Sequence, residues 1–147
     1  MQTENAGRRV RVLLAEDDIH ALNGYLEFLA SAGFDATGVP DGTEALAIAR
    51  RDLPDVIVTD VSMPGLDGFE LAVKLRAEGR TRGIPIIGMT AHWTAEVRMT
   101  AARVGIGALL LKPCLPDHMV AEVRRALQGC APKADSTSPL LRAPIAR

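Results

Sequence analysis

Asp60 closes a β-branched run, Val56-Ile57-Val58-Thr59, and the chain breaks soon afterwards at Pro64-Gly65. Three other apolar runs also end on polar groups: Val10 to Ala15 on Glu16-Asp17-Asp18, Pro85 to Met89 on Thr90, and Ala108 to Leu111 on Lys112-Pro113. Carboxylates brought together from two strand ends repel one another, and a divalent cation between them relieves that cost. Magnesium fits, because it takes one or two carboxylates, keeps several waters and bridges to phosphate oxygens. Zinc does not, since His20, His92 and His118 share no ligand-like spacing and Cys114 and Cys130 form no CxxC pair. Beside such a cation Asp60 can attack a phosphoryl group, provided the charge building on the transferred oxygens is neutralised. Lys112 offers an ammonium for this on a flexible stem, and Thr90 offers a hydroxyl donor.

These groups need elements that deliver them to one place. Each apolar run has strand length and is followed by a segment with helical period, beginning with Ile19, Leu22, Leu26 and Leu29 up to Gly33. Phe34 to Val39 is a weaker second strand, and Asp41 with Glu44 reads as a capping box for a helix to about Arg51. Asp67 with Glu70 repeats that signature near Gly68, Thr94 is placed to cap a fourth helix, and Pro116 to open a fifth. Val120, Val123 and Leu127 are the expected core positions of that last helix. Five strands alternating with five helices imply an α/β fold, a doubly wound parallel sheet covered on both faces. Ligands in such sheets bind outside the carboxyl ends of the strands, where Asp17, Asp60, Thr90 and Lys112 all fall.

Composition narrows the classes. A chain of 147 residues, 48% hydrophobic and 24% charged, is an ordinary folded domain. A net charge of −1 and five scattered aromatic residues provide neither the field nor the stacking platform of a nucleic-acid binder. The polar start lacks a signal peptide's apolar core, and no run is long enough to span a bilayer, so a cytoplasmic protein with free thiols is expected. Residues 1–9 read as a tail, 10–128 as the domain, and 129–147, rich in Pro and Ser, as a flexible tail or linker stub.

Taken together, Glu16-Asp17-Asp18, Asp60 with Met63-Pro64-Gly65-Leu66-Asp67-Gly68, Thr90-Ala91 and Lys112-Pro113 resemble the receiver domain of bacterial response regulators. The likeness covers about Val10 to Leu127. It implies a CheY-like, flavodoxin-like fold with strand order 2-1-3-4-5. It also implies that Asp60 is the phosphoacceptor and that magnesium is bound by Asp17, Asp60 and the main-chain carbonyl of Ser62, with Glu16 acting through a water. Thr90 would move toward the phosphoryl group, and Lys112 would pair with Asp60 or its phosphate. The implied partners are a histidine kinase or histidine phosphotransfer protein and an unidentified downstream protein, with no direct nucleic acid and no membrane. A single-domain switch, monomeric or weakly dimeric, follows, shedding its phosphate by slow self-dephosphorylation rather than working as an enzyme.

The family's readout face would present Arg98, Arg103, Arg124 and Arg125. Ser62 and His92, two residues beyond Asp60 and Thr90, fall where side chains admit or block the attacking water, and Trp93 would serve as a fluorescence reporter. One position departs from the family. Leu109 stands where an aromatic residue usually rotates inward, so the switch is expected to run through the Thr90 loop and the helix after it. A magnesium-dependent phosphohydrolase with an aspartyl-phosphate intermediate is the alternative, although no second acid for activating water and no cap over a substrate are apparent. A flavin protein of the same topology fits less well, because three acids in the first loop repel a phosphate.

Overall fold

The computed structural model describes residues 8–129. The expected alternation is present: β1 (Arg11–Ala15), α1 (Ile19–Ser31), β2 (Asp35–Val39), α2 (Gly42–Asp52), β3 (Val56–Asp60), α3 (Gly68–Ala77), β4 (Ile86–Thr90), α4 (Ala95–Val104), β5 (Ala108–Leu111) and α5 (Pro116–Gly129). Pro85 lies just outside β4; it has no N–H to give, and its carbonyl accepts from the Ile57 amide at 3.0 Å. Arg8, inside the expected tail, reaches Asp55 at 3.3 Å. α5 runs one residue past the expected boundary, while residues 1–7 and 130–147, Cys130 among them, fall outside the described part.

All strands are parallel, in the order β2-β1-β3-β4-β5. Because strand side chains alternate in direction, each strand serves two cores. Leu13, Ile57, Ile86 and Leu109 pack on one face against Ala45, Leu46 and Ala49 of α2, Leu71, Ala72 and Leu75 of α3, and Ala101 of α4. Val12, Leu14, Val56, Val58, Ile87, Met89 and Leu110 pack on the other against Leu22 and Leu29 of α1 and Met119 and Val123 of α5. Of the expected α5 core positions, Val123 is fully buried while Val120 and Leu127 are half-buried at the margin; Met119 takes the inner place.

The chain leaves β1 for β2 on one side and later returns to β3 on the other, so strand order reverses between β1 and β3. Glu16-Asp17 and Asp60 stand at that reversal. Asp41, Asp67 and Thr94 start their helices as the sequence marked, and Asp18, grouped there with the other acids, starts α1. Asp18 accepts from His20 and Ala21, Asp41 from Glu44, and Thr94 from Val97. Among the described residues the full reciprocal box forms only at Asp67 and Glu70. At Asp41 the backbone N–H makes no return bond to Glu44, whose carboxylate stays exposed, where hydration serves it as well.

One long cation works inside the fold. Arg76 of α3 donates to the carbonyls of Gly105, Arg82 and Ile84, four hydrogen bonds of 2.6 to 3.2 Å. It thereby ties the end of α3 to the entrance of β4 and the end of α4. Burial pulls its guanidinium below the ordinary arginine value, but arginine's remains far above neutrality and stays charged. Arg76→Met would strip charged donors from three carbonyls. We expect a loss of about 2–4 kcal/mol, read as a fall in Tm of roughly 10 °C; an unchanged Tm would mean that water replaces the guanidinium without cost.

Candidate functional site at the carboxyl ends of the strands

Register sets the site. Ala15 pairs with Thr59, Asp60 with Met89 and Thr90 with Leu111, so the residues that follow β1, end β3 and β4, and follow β5 share one edge. Glu16 and Asp60 are buried there, and Asp17 is exposed. One carboxylate oxygen from each of Glu16, Asp17 and Asp60 lies within 4.8 Å of the other two. Lys112 enters from β5, its Nζ 2.7 Å from Asp60 Oδ2 and 2.9 Å from Glu16 Oε1. Burial would push this ammonium toward neutrality, yet its hydrogen bonds to Asp60 and Glu16, together with their charges, hold it above the ordinary lysine value.

The remaining lone pairs are used locally. Glu16 Oε2 accepts from the Asp18 amide at 3.0 Å, and Asp60 Oδ1 accepts from the Ser62 amide at 3.1 Å. Asp18 is committed elsewhere: amide donors at the start of α1, from Ala21 and then His20, hold its carboxyl below the usual range. It is the cap of α1, and Glu16, Asp17 and Asp60 form the acidic cluster. All the side-chain donors in that cluster are carboxylate oxygens, a set that suits a hard divalent cation and not zinc or copper.

Thr90 is buried at the end of β4. Its hydroxyl donates to the His92 carbonyl at 3.2 Å and accepts from the His92 amide at 3.0 Å, so it is occupied by its own loop and not by Asp60. Ser62 and His92 are exposed. Cys114, two residues beyond Lys112, is a free thiol whose burial pushes it up to about 11. At neutral pH it is protonated and a poor nucleophile. The Lys112–Pro113 peptide bond is cis.

Leu109 is buried 6% exposed on the face shared with Ile106 and Val61, over Gly88, where a Cβ would fall 2.9 Å from the leucine Cδ1. Of the four arginines expected on the readout face, Arg98 stacks over Trp93 at 5.8 Å and Arg124 over Phe34 at 5.7 Å, while Arg125 pairs with Glu122 at 2.9 Å. These contacts give three of them a place in the fold independent of any partner. Among the described residues, no helix is long and apolar enough to cross a membrane.

Known proteins are similar to this chain in sequence and fold. Residues 12–124 match the response regulator receiver domain family. The chain is 39% identical over 113 residues to the response regulator PleD of Caulobacter vibrioides, covering 76% of this chain and 25% of PleD. It is 32% identical over 120 residues to the DNA-binding response regulator MtrA of Mycolicibacterium paratuberculosis, covering 82% of this chain and 52% of that protein. The chain thus spans between a quarter and about half the length of these relatives. The structure of the chemotaxis response regulator CheY4 of Vibrio cholerae matches over 81% of this chain and 99% of that one, at 31% identity and a TM-score of 0.77. With its strand order, its acidic corner and its strand-end lysine, the chain belongs to the response regulator receiver family, the CheY-like signalling domains of two-component systems.

Proposed function

We propose that Asp60 accepts a phosphoryl group from the phosphohistidine of a histidine kinase or histidine phosphotransfer protein, and that the acyl phosphate so formed switches the binding of a downstream partner. The observation that carries this reading is the double hydrogen bond of Lys112 to Asp60 and Glu16 at the edge of a three-carboxylate cluster. An Asp60 carboxylate oxygen attacks phosphorus in line, and the histidine nitrogen leaves with the electron pair of the P–N bond. Lys112 is placed to follow the charge from the carboxylate to the transferred oxygens.

Magnesium suits the donor set, with Asp17, Asp60 and the Ser62 carbonyl as ligands and Glu16 acting through a water. When bound it neutralises charge on the phosphoryl oxygens. Thr90 then exchanges the His92 carbonyl for a phosphoryl oxygen, and the segment His92-Trp93-Thr94 follows. α4 buries only Ala101, so its displacement disturbs little core. Leu109, fixed in the apolar layer, takes no part. Direct contact with nucleic acid is not included: the description of MtrA as DNA-binding belongs to a protein of which this chain matches about half. The working form is a cytoplasmic domain at 10–128, monomeric or weakly dimeric.

Incubation with acetyl phosphate and magnesium should add one phosphoryl group to the intact mass, with no gain in excess chelator. Steady release of many phosphates per chain from small phosphate esters would instead favour a phosphohydrolase.

A further inference from the structure

Between β3 and α3 runs the loop that carries Ser62. Its start is held by the Ser62 amide on Asp60 Oδ1, and its end by the Gly68 amide on the Val61 carbonyl at 3.1 Å. Gly68 has to be small, since a Cβ there would fall 2.8 Å from the Val61 Cα. Val61 and Met63 are sunk into the core. From Met63 to Leu66, however, no backbone hydrogen bond to another element is recorded among the described residues. Packing fixes this part of the loop: Met63 in the core, and Leu66 against the core and the start of α2.

Gly42, the first residue of α2, lies against the backbone of Leu66. A Cβ at 42 would overlap the Leu66 carbonyl oxygen and come 2.8 Å from its carbonyl carbon and 3.0 Å from its Cβ. The neighbour is main chain, which cannot swing aside as a side chain would. At Gly65 an added Cβ would come no closer than 3.8 Å to Thr43 Oγ1, so the close approach of α2 to this loop is at Leu66. α2 itself cannot retreat, because Ala45, Leu46 and Ala49 are buried in the core and Asp41 caps its start. An added methyl group at 42 therefore displaces the loop rather than the helix.

We propose that Gly42 is a positioning residue of the acidic corner: by admitting Leu66 to backbone contact it holds the β3–α3 loop, and with it the Ser62 carbonyl and the Ser62 amide on Asp60, in register with the other carboxylates. This rests on the reading of that corner as a cation site. Groups outside the ligand set that orient ligands commonly change metal affinity by about 10- to 100-fold.

The test uses Gly42→Ala, Leu66→Ala, which keeps the atoms that meet position 42 but removes the side chain that packs the loop against the core, and Ala49→Gly, which weakens α2 far from the loop. Magnesium titration by calorimetry and amide NMR spectra without metal are the two readouts. For Gly42→Ala we expect metal-free amide shifts at Ser62 to Asp67 and magnesium affinity weaker by about 10-fold, with a smaller loss in Leu66→Ala. Ala49→Gly should lose thermal stability and keep wild-type affinity. Wild-type affinity in folded Gly42→Ala, or shifts confined to α2, overturns the proposal. Should Gly42→Ala not fold, wild-type affinity in Leu66→Ala does so. Wild-type protein that takes up no magnesium overturns the cation reading first, and the metal-free shifts still decide whether Gly42 seats the loop.

Discussion

Asp60→Asn is expected to abolish phosphoryl uptake from acetyl phosphate while leaving the fold at least as stable as wild type. The amide keeps the shape of the carboxylate, and its oxygen can still accept from the Ser62 amide as Asp60 Oδ1 does at 3.1 Å. Lys112 keeps its 2.9 Å bond to Glu16. The amide loses the anionic oxygen that attacks phosphorus. Charge counting gives the stability side its sign. Three carboxylates cluster at this corner and two of them share one ammonium, so removing one acid relieves repulsion while sacrificing one partner of the lysine. Intact mass reads the first effect and thermal denaturation in chelator the second. Phosphorylation of the variant at the wild-type rate would place the acceptor elsewhere. A Tm lowered by many degrees would mean that the Lys112 pair outweighs the crowding.

The parts of this corner that were legible in the sequence share one physical property: strand period. An apolar run of period two tells where a strand ends, and parallel strands end on the same edge, so Glu16, Asp17, Asp60, Thr90 and Lys112 could be set side by side from spacing alone. Helix starts were legible for a similar reason, since a short polar side chain before an apolar period has few other uses, and Asp41, Asp67 and Thr94 all cap as expected, while Asp18, read only as one of three acids, caps α1 as well. What pattern does not carry is contact between elements distant in sequence. Arg76 sits among helical polar residues and looks like a solvated cation; its three carbonyl partners are defined only once α3, α4 and the turn before β4 are assembled. Gly42 looks like a turn residue following Asp41, and its contact with Leu66 exists only in three dimensions. The strand end puts the Thr90 hydroxyl at this edge, but its bonds to the His92 carbonyl and amide depend on loop geometry that no residue type encodes.

Lys112→Met should lower phosphoryl uptake and stability while leaving magnesium affinity unchanged or tighter, which separates a chemical role from a structural one. Methionine keeps most of the apolar stem and removes the ammonium. Phosphoryl uptake should fall by about 10²- to 10³-fold, the usual cost of removing a donor aimed at developing charge. Magnesium affinity should hold or tighten, because a competing cation has left the carboxylates. Stability in chelator should drop by about 3–5 kcal/mol, since Glu16 and Asp60 are only 1% and 5% exposed and lose their one ammonium. Added magnesium should recover much of this drop by binding the folded form alone. The pH dependence has a definite sign. The folded-state value of Lys112 is raised, so its contribution is fully present below the unfolded value of roughly 10.4 and is lost only as pH climbs through the folded one. The gap between wild type and variant in chelator should therefore stay constant from pH 7 to about pH 10 as far as Lys112 is concerned. A Tm that magnesium does not restore would make Lys112 a structural strut whose loss collapses the corner, and uptake at the wild-type rate would remove it from the chemistry.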